Sequence, residues 1–326
     1  MRVILSNHNG TDVCDMRDAF CDSLIKLAEK NKDIILMDAD LMAAMGTKPF
    51  LQKFPERTIN CGIQEANMIG VACGLSVQGK IPFAHTFAPF ATRRACDQIF
   101  ISGAYNNANV KIIGSDPGIT ASYNGGTHMP FEDMGIMRII PTMTVIEPCD
   151  IISLTTLLPK IAAHKGMVYM RLVRKDVNRV YGRRSEFEIG KGNKLKSGTD
   201  ATIIASGYCV AEAINASKIL EAEGIKVSVI DMFTWKPIDA ELIIEEATKT
   251  GAIVTAENHN VVNGLGSAVA EVLVKNKPVP MEMIGVQDEF GEVGPVSYLR
   301  ERFEMRDVDI AEAVRRVIKR KSEVTQ

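Results

Sequence analysis

No two of the seven cysteines have the C-x-x-C spacing of a zinc or redox motif, and an odd number cannot close a disulfide framework. Scattered at positions 14, 21, 61, 73, 96, 149 and 209, mostly inside apolar runs, they read as reduced core thiols. No apolar run approaches the roughly 20 residues that cross a bilayer. The N-terminus lacks the charged-then-apolar pattern of a secretory signal. These absences imply a cytoplasmic protein without a membrane partner. Charge of one sign is also missing: 38 Lys and Arg against 40 Asp and Glu leave a net −2, too little to draw the chain to nucleic acid. Short-period repeats and low-complexity tracts are absent as well. What remains, 46% apolar and 24% charged over 326 residues, is a globular composition with enough chain for two cores.

Short β-branched runs alternate with longer helical stretches, the rhythm of parallel α/β layers. Strands are expected at residues 34–37, 81–84, 110–114, 144–146 and 167–172, each nearly all apolar, as when helices cover both sheet faces. Helices are expected at 14–30, 64–78, 92–106 and 150–164, the last started by Asp150 as N-cap. A charged, glycine-rich and core-poor run at 183–199 reads as a linker between residues 1–182 and 200–326. Beyond it a second α/β rhythm brings strands at 201–205, 227–230, 253–256 and 281–286. Helices are expected at 211–223, 240–248, 265–275 and 308–321. The fold expected is two consecutive three-layer α/β/α domains with mostly parallel sheets.

Glu65 opens a slim helix containing Ala66, Gly70, Ala72 and Gly74, just after Gly62. The helix dipole alone favours an acid in a first turn. A carboxylate in so tightly packed a place is nonetheless costly unless it bonds something polar, and a ring nitrogen would serve. Phe87 and Phe90 flank Pro89 where a strand passes into a helix, the edge at which α/β sheets bind ligands. They are core residues or a stacking face for a heteroaromatic ring. His128 follows Asn124, Gly125 and Gly126 in a long glycine-rich loop, and either caps the next helix or bonds a substrate oxygen. His85 precedes the aromatic pair and could face the same pocket. Arg93 and Arg94 follow it, as surface cations or ligands. His8 and His164 read as surface residues. Arg17, Arg171 and Arg174 suit an anion, although a solvated face or an interdomain ion pair explains them equally. Gly264-Leu265-Gly266 lacks the third glycine of a dinucleotide fingerprint and reads as a tight turn that starts a helix.

Taken in order, Asp38-Ala39-Asp40-Leu41, Gly62-Ile63-Gln64-Glu65, Thr86-Phe87-Ala88-Pro89-Phe90, Gly126-Thr127-His128 and Glu257-Asn258-His259 resemble the second half of transketolase. The resemblance covers essentially the whole chain and is closest to the C-terminal subunit of a split, two-chain enzyme. It implies thiamine diphosphate as cofactor, with Mg2+ or Ca2+ bound mainly by a separate N-terminal subunit; no metal ligands are expected here. It implies a homodimer of this chain within an α2β2 assembly, and anionic sugars as substrates. Glu65 would bond the pyrimidine ring, Phe87 and Phe90 would wall it, and Asp40 would line the cofactor pocket. Glu65 and His128 would be catalytic. His85, Arg93, Arg94, Asn124, His128, Arg17, Arg171 and Arg174 would meet substrate. Asn124 stands where the family has an aspartate, Ala44 near its phosphate-pocket serine and Ser115 near a histidine. These departures imply a different anion grip, as for a sulfonated or branched sugar. The β subunit of a 2-oxoacid dehydrogenase, deoxyxylulose phosphate synthase and a non-catalytic α/β subunit are the alternatives.

Overall fold

The computed structural model describes residues 1–7, 10–12, 14–175 and 177–324; His8 lies outside them. Among the described residues twelve strands form two sheets. They are β1 (Ile34–Asp38), β2 (Thr58–Asn60), β3 (Ile81–Phe87), β4 (Lys111–Ser115), β5 (Thr144–Ile146), β6 (Val168–Leu172), β7 (Asn193–Lys196), β8 (Ala201–Ala205), β9 (Val227–Asp231), β10 (Thr234–Lys236), β11 (Ile253–Asn260) and β12 (Met281–Val286). The first sheet has the order β10-β5-β6-β4-β3-β1-β2 and the second β12-β11-β8-β9-β7. Between these strands the pairings are parallel except β10 with β5 and β7 with β9. Two α/β domains of the expected class are therefore present.

The near-continuous apolar runs are explained by burial on both faces. Along β1, Ile34 and Leu36 enter one core while Ile35 and Met37 enter the other. Helices Met16–Lys30 and Ile151–Ala163 supply the first core, and Glu65–Val77 and Asp133–Ile139 the second. Each core continues into the C-terminal half, so the two layered units share their apolar layers. Asp150 caps its helix as expected: its carboxylate accepts from Ser153 N at 2.8 Å, and Ser153 Oγ accepts from Asp150 N at 3.0 Å.

Two local expectations give way. The run at 183–199 holds more than a connector, because Asn193–Lys196 pairs with β9 and Phe187 is buried between Tyr181 and Phe233. The stretch 92–106 is not one helix. It divides into Ala88–Thr92, Cys96–Gln98 and a π-helical turn Ile99–Tyr105, with Arg93, Arg94 and Ala95 in the joint.

The halves are pinned by Arg171, which has no exposed surface. Its Nε and Nη2 donate to the Asp133 carboxylate at 2.9 Å each, and Nη1 donates to Glu147 Oε1 at 3.0 Å and to the Asn258 carbonyl at 2.8 Å. The expected contact of Arg171 with substrate is therefore corrected: its donors are spent on the domain seam. Glu257 receives Leu265 N and, at 2.8 Å, Gly266 N, capping the next helix. A side-chain carbon on Gly264 would sit 2.0 Å from its Oε2, so the glycine-leucine-glycine turn serves this carboxylate rather than a nucleotide.

His259 completes the seam. Its Nε2 accepts from Gly135 N at 3.2 Å and its Nδ1 donates to the Asn260 carbonyl at 2.7 Å, which fixes a neutral tautomer. Burial pushes its pKa down from 6.5 to about 4. Between those values the unfolded chain takes up a proton that the folded chain refuses, so this group's stabilisation is lost as pH falls. His259→Gln should begin less stable at pH 7 but decline less steeply below pH 6.5, by up to about 1.4 kcal/mol per pH unit. Urea titrations at pH 7, 6, 5 and 4.5 read the difference; parallel slopes would show that the folded protein protonates His259.

Candidate active site

The candidate residues gather at the carboxyl ends of β1, β2, β3, β4 and β6, because parallel strands deliver all their outgoing loops to one edge. Glu65 begins the helix after β2 and is buried, 5% exposed. Its Oε1 accepts from Arg94 Nη1 at 2.7 Å. The Arg94 guanidinium lies 3.8 Å from the centre of the Phe90 ring. Phe87 and Phe90 stand 6.2 Å apart, and His128 meets them edge-on at 6.1 and 5.1 Å. Pro89, Phe90, Arg93, Arg94, Thr127 and His128 line an open recess of about 420 Å³. His128 Nδ1 is bonded to Thr127 Oγ1 at 2.8 Å, which leaves Nε2 without a partner among the described residues. Arg93 is anchored on the far wall, with Nε 3.0 Å from Glu132 Oε1 and Nη2 donating to the Thr127 carbonyl at 3.2 Å.

A second set lies under this recess. His85 is wholly buried, with Nδ1 2.7 Å from Asp38 Oδ2 and Nε2 3.0 Å from Ser115 Oγ. Ser115 Oγ reaches Asp116 Oδ2 at 3.2 Å, and Asp116 Oδ1 pairs with Arg174 Nε at 3.0 Å. Burial pushes the Asp116 carboxyl up, against the pull of Arg174. The chain Asp38–His85–Ser115–Asp116–Arg174 links β1 through β3 and β4 to the end of β6. His85 is thus saturated by its neighbours, and its expected contact with substrate is corrected to a supporting place. Arg174 and Arg17 both donate to the Ala44 carbonyl, at 3.5 and 3.1 Å, and Arg17 pairs with Asp15 at 2.9 Å. Two guanidiniums therefore converge, each with its own carboxylate.

The loop carrying His128 is gripped by the second domain. Asn258 Oδ1 accepts from Ile119 N at 2.9 Å and Asn258 Nδ2 donates to the Pro117 carbonyl at 3.1 Å. A side-chain carbon on Gly126 would lie 2.2 Å from the Gly291 carbonyl oxygen, so the glycine pair before His128 makes room for that crossing chain. Asn124 is exposed at the loop tip. Asp40, at φ 66°, is exposed beside the site and bonds Asn60, which donates to its Oδ1 at 3.0 Å. Asp116, with φ 58°, and Ser122, with φ 51°, carry strained backbone in the same loop. Sequence reasoning missed Asp15, Asp116 and Asn258 as partners. Only Asp116, directly before Pro117 at a strand end, offered a local signal. Among the described residues no group of three or more His, Cys, Asp or Glu is arranged to hold a metal ion. Nor is any described helix long and apolar enough to cross a membrane.

Residues 12–179 match the family model for the transketolase pyrimidine binding domain, and residues 190–310 that for the transketolase C-terminal domain. The chain belongs to the transketolase family. It is similar to the 6-deoxy-6-sulfo-D-fructose transketolase subunit SqwH of Clostridium sp. (strain MSTE9), 50% identical over 94% of this chain and 95% of that one. It is 37% identical to one of the subunits of the apulose-4-phosphate transketolase of Phocaeicola vulgatus, over 84% of this chain and 88% of that one. A solved split-gene transketolase, an inactive beta4 tetramer, superposes with a TM-score of 0.86 at 44% identity, covering 94% of this chain and 98% of that chain. This transketolase-family chain is thus a subunit of a transketolase-type transferase, related to the C-terminal halves of split enzymes. The family typically uses thiamine diphosphate, and the residues present fit its planar amino-heterocycle. A planar guanidinium already lies between the Glu65 carboxylate and the Phe90 face.

His85→Phe keeps the bulk of the supporting residue but strands the Asp38 carboxylate and the Ser115 hydroxyl. It should cost about 1–3 kcal/mol in urea unfolding, the desolvation penalty of buried polar groups left unpaired. Unchanged stability would mean that water readily replaces the imidazole.

Proposed function

We propose that this subunit forms half of a thiamine-diphosphate-dependent transketolase and transfers a two-carbon ketol unit from an anionic ketose to an aldose. A separate N-terminal subunit would carry the diphosphate site and the metal ion, in an α2β2 assembly in the cytoplasm. The observation that carries the reading is Glu65, a buried carboxylate joined through Arg94 to the Phe90 face that lines an open recess. When bound, the cofactor supplies carbanion chemistry at its thiazolium ring. Glu65 would hold a proton against a pyrimidine nitrogen and so select the tautomer. Phe90, braced by Phe87, would stack on the ring and keep water from it. Asp40 would line the rim of the cofactor site. His128, its Nδ1 committed to Thr127, would offer Nε2 to a substrate oxygen. Asn124 would meet a hydroxyl, and Arg93 would border the entrance.

Arg17 and Arg174 would take the charged end of the sugar. Their charges are already offset by Asp15 and Asp116, and Asp18 lies 3.8 Å from Arg17. A cluster with no excess positive charge resists a dianion more than a monoanion, and a sulfonate carries one charge where a phosphate carries nearly two at pH 7. That balance, with the similarity to a sulfofructose transketolase subunit, supports a sulfonated ketose as donor. A phosphorylated branched sugar is the second candidate, on the similarity to the apulose-4-phosphate enzyme.

The chain alone should be inactive with thiamine diphosphate and Mg2+, and active once mixed with an N-terminal subunit; turnover by the chain alone would refute the two-chain reading. In the reconstituted complex Glu65→Gln should lower kcat by roughly a hundredfold or more, the scale of a lost proton-transfer group. Wild-type turnover would remove Glu65 from the chemistry. Phe90→Ala should weaken cofactor binding by about 1–3 kcal/mol through lost stacking and burial, read by calorimetric titration. An unaltered isotherm would make this ring part of the core only.

A further inference from the structure

We propose that Arg94 is an internal stand-in for the cofactor ring: it closes the Glu65 site in the free subunit and swings out when the cofactor is loaded. The inference rests on the proposed use of thiamine diphosphate, but what carries it is the chain's own geometry. Two contacts define the place of a planar amino-heterocycle here, a hydrogen bond to the Glu65 carboxylate and a stack on Phe90. Arg94 makes both at once, at 2.7 Å and 3.8 Å. A ring and a guanidinium cannot share that volume, so one must leave before the other binds.

The chain is built to let Arg94 go. Arg94 lies in the turn between two short helical pieces, flanked by Arg93, whose N–H still donates to the Pro89 carbonyl, and by Ala95, whose carbonyl accepts from Ile99 N. The Arg94 side chain is 47% exposed, and Glu65 is its one ionic partner among the described residues. Its neighbour Arg93 is tethered to Glu132 and Thr127 and remains as a wall when Arg94 moves. Water stands ready to solvate the released cation, whereas the buried Glu65 passes from the guanidinium donor to a ring nitrogen with which it shares a proton, and is not left unpartnered.

The test uses the complex reconstituted with its N-terminal subunit, and compares the wild type with Arg94→Met, which keeps the stem and removes the planar charge. Thiamine diphosphate is titrated by calorimetry and its association followed by stopped-flow fluorescence. The stand-in predicts tighter binding for Arg94→Met, by roughly three- to tenfold, the scale of one half-exposed ion pair and cation–π contact. It also predicts faster association. In the free subunit the same variant should melt at a lower temperature, and this difference should shrink in the loaded complex. Weaker cofactor binding by Arg94→Met would make Arg94 a permanent ligand and overturn the proposal. So would unchanged affinity and rate, which mark an ordinary surface pair. If the wild-type complex itself fails to bind thiamine diphosphate, the functional reading falls, and the stand-in falls with it.

Discussion

Burying the Arg171 guanidinium requires that every one of its neighbours be in place. A cation with no solvent contact is tolerated only when carboxylates and carbonyls surround it, and here they come from separate parts of the fold. Asp133 stands on the helix after the His128 loop, Glu147 follows β5, and the Asn258 carbonyl belongs to the second sheet. One side chain at the end of β6 thereby fixes the distance between the domains. The next residue along β11 from that carbonyl, His259, takes Gly135 N, and the Asn258 side chain holds the loop that leads to His128. The position of a residue at the mouth of the site is thus set by contacts in the opposite domain.

A graded use of charge follows. Deep in the molecule the ionic groups are saturated and serve as fasteners: Arg171 with its acids, His85 between Asp38 and Ser115. At the rim the same residue types are only partly engaged. Arg94 and Arg17 each keep exposed surface, and His128 keeps a ring nitrogen unbonded among the described residues. Side-chain chemistry alone does not separate the fasteners from the residues able to meet a ligand; depth does.

That distinction marks how much was legible beforehand. The layered α/β fold was, because both-sided burial writes itself into continuous apolar runs such as β1 and β8. Glu65, Phe90 and His128 were legible as a set because their loops leave the same sheet edge. Arg171 and Arg174, three residues apart on one outgoing strand, looked alike. Only the packing separates a guanidinium sealed by Asp133 from one paired with Asp116 and still partly exposed. The partnership of Arg94 with Glu65 spans 29 residues of sequence and depends on a helix breaking at Arg93, which local propensity does not announce. The strand Asn193–Lys196 was hidden in a charged run, since an edge strand needs only one buried face.

The short strand β10 has a consequence for the evolution and handling of such chains. It lies beyond the glycine-rich run, in the C-terminal half, yet hydrogen-bonds to β5 at the border of the first sheet. A fragment cut after Gly182 would retain every binding residue named for the recess while uncovering a row of unpaired peptide groups on β5, an invitation to aggregation. Gene fission within this family could therefore fall before this pair of domains much more readily than between them.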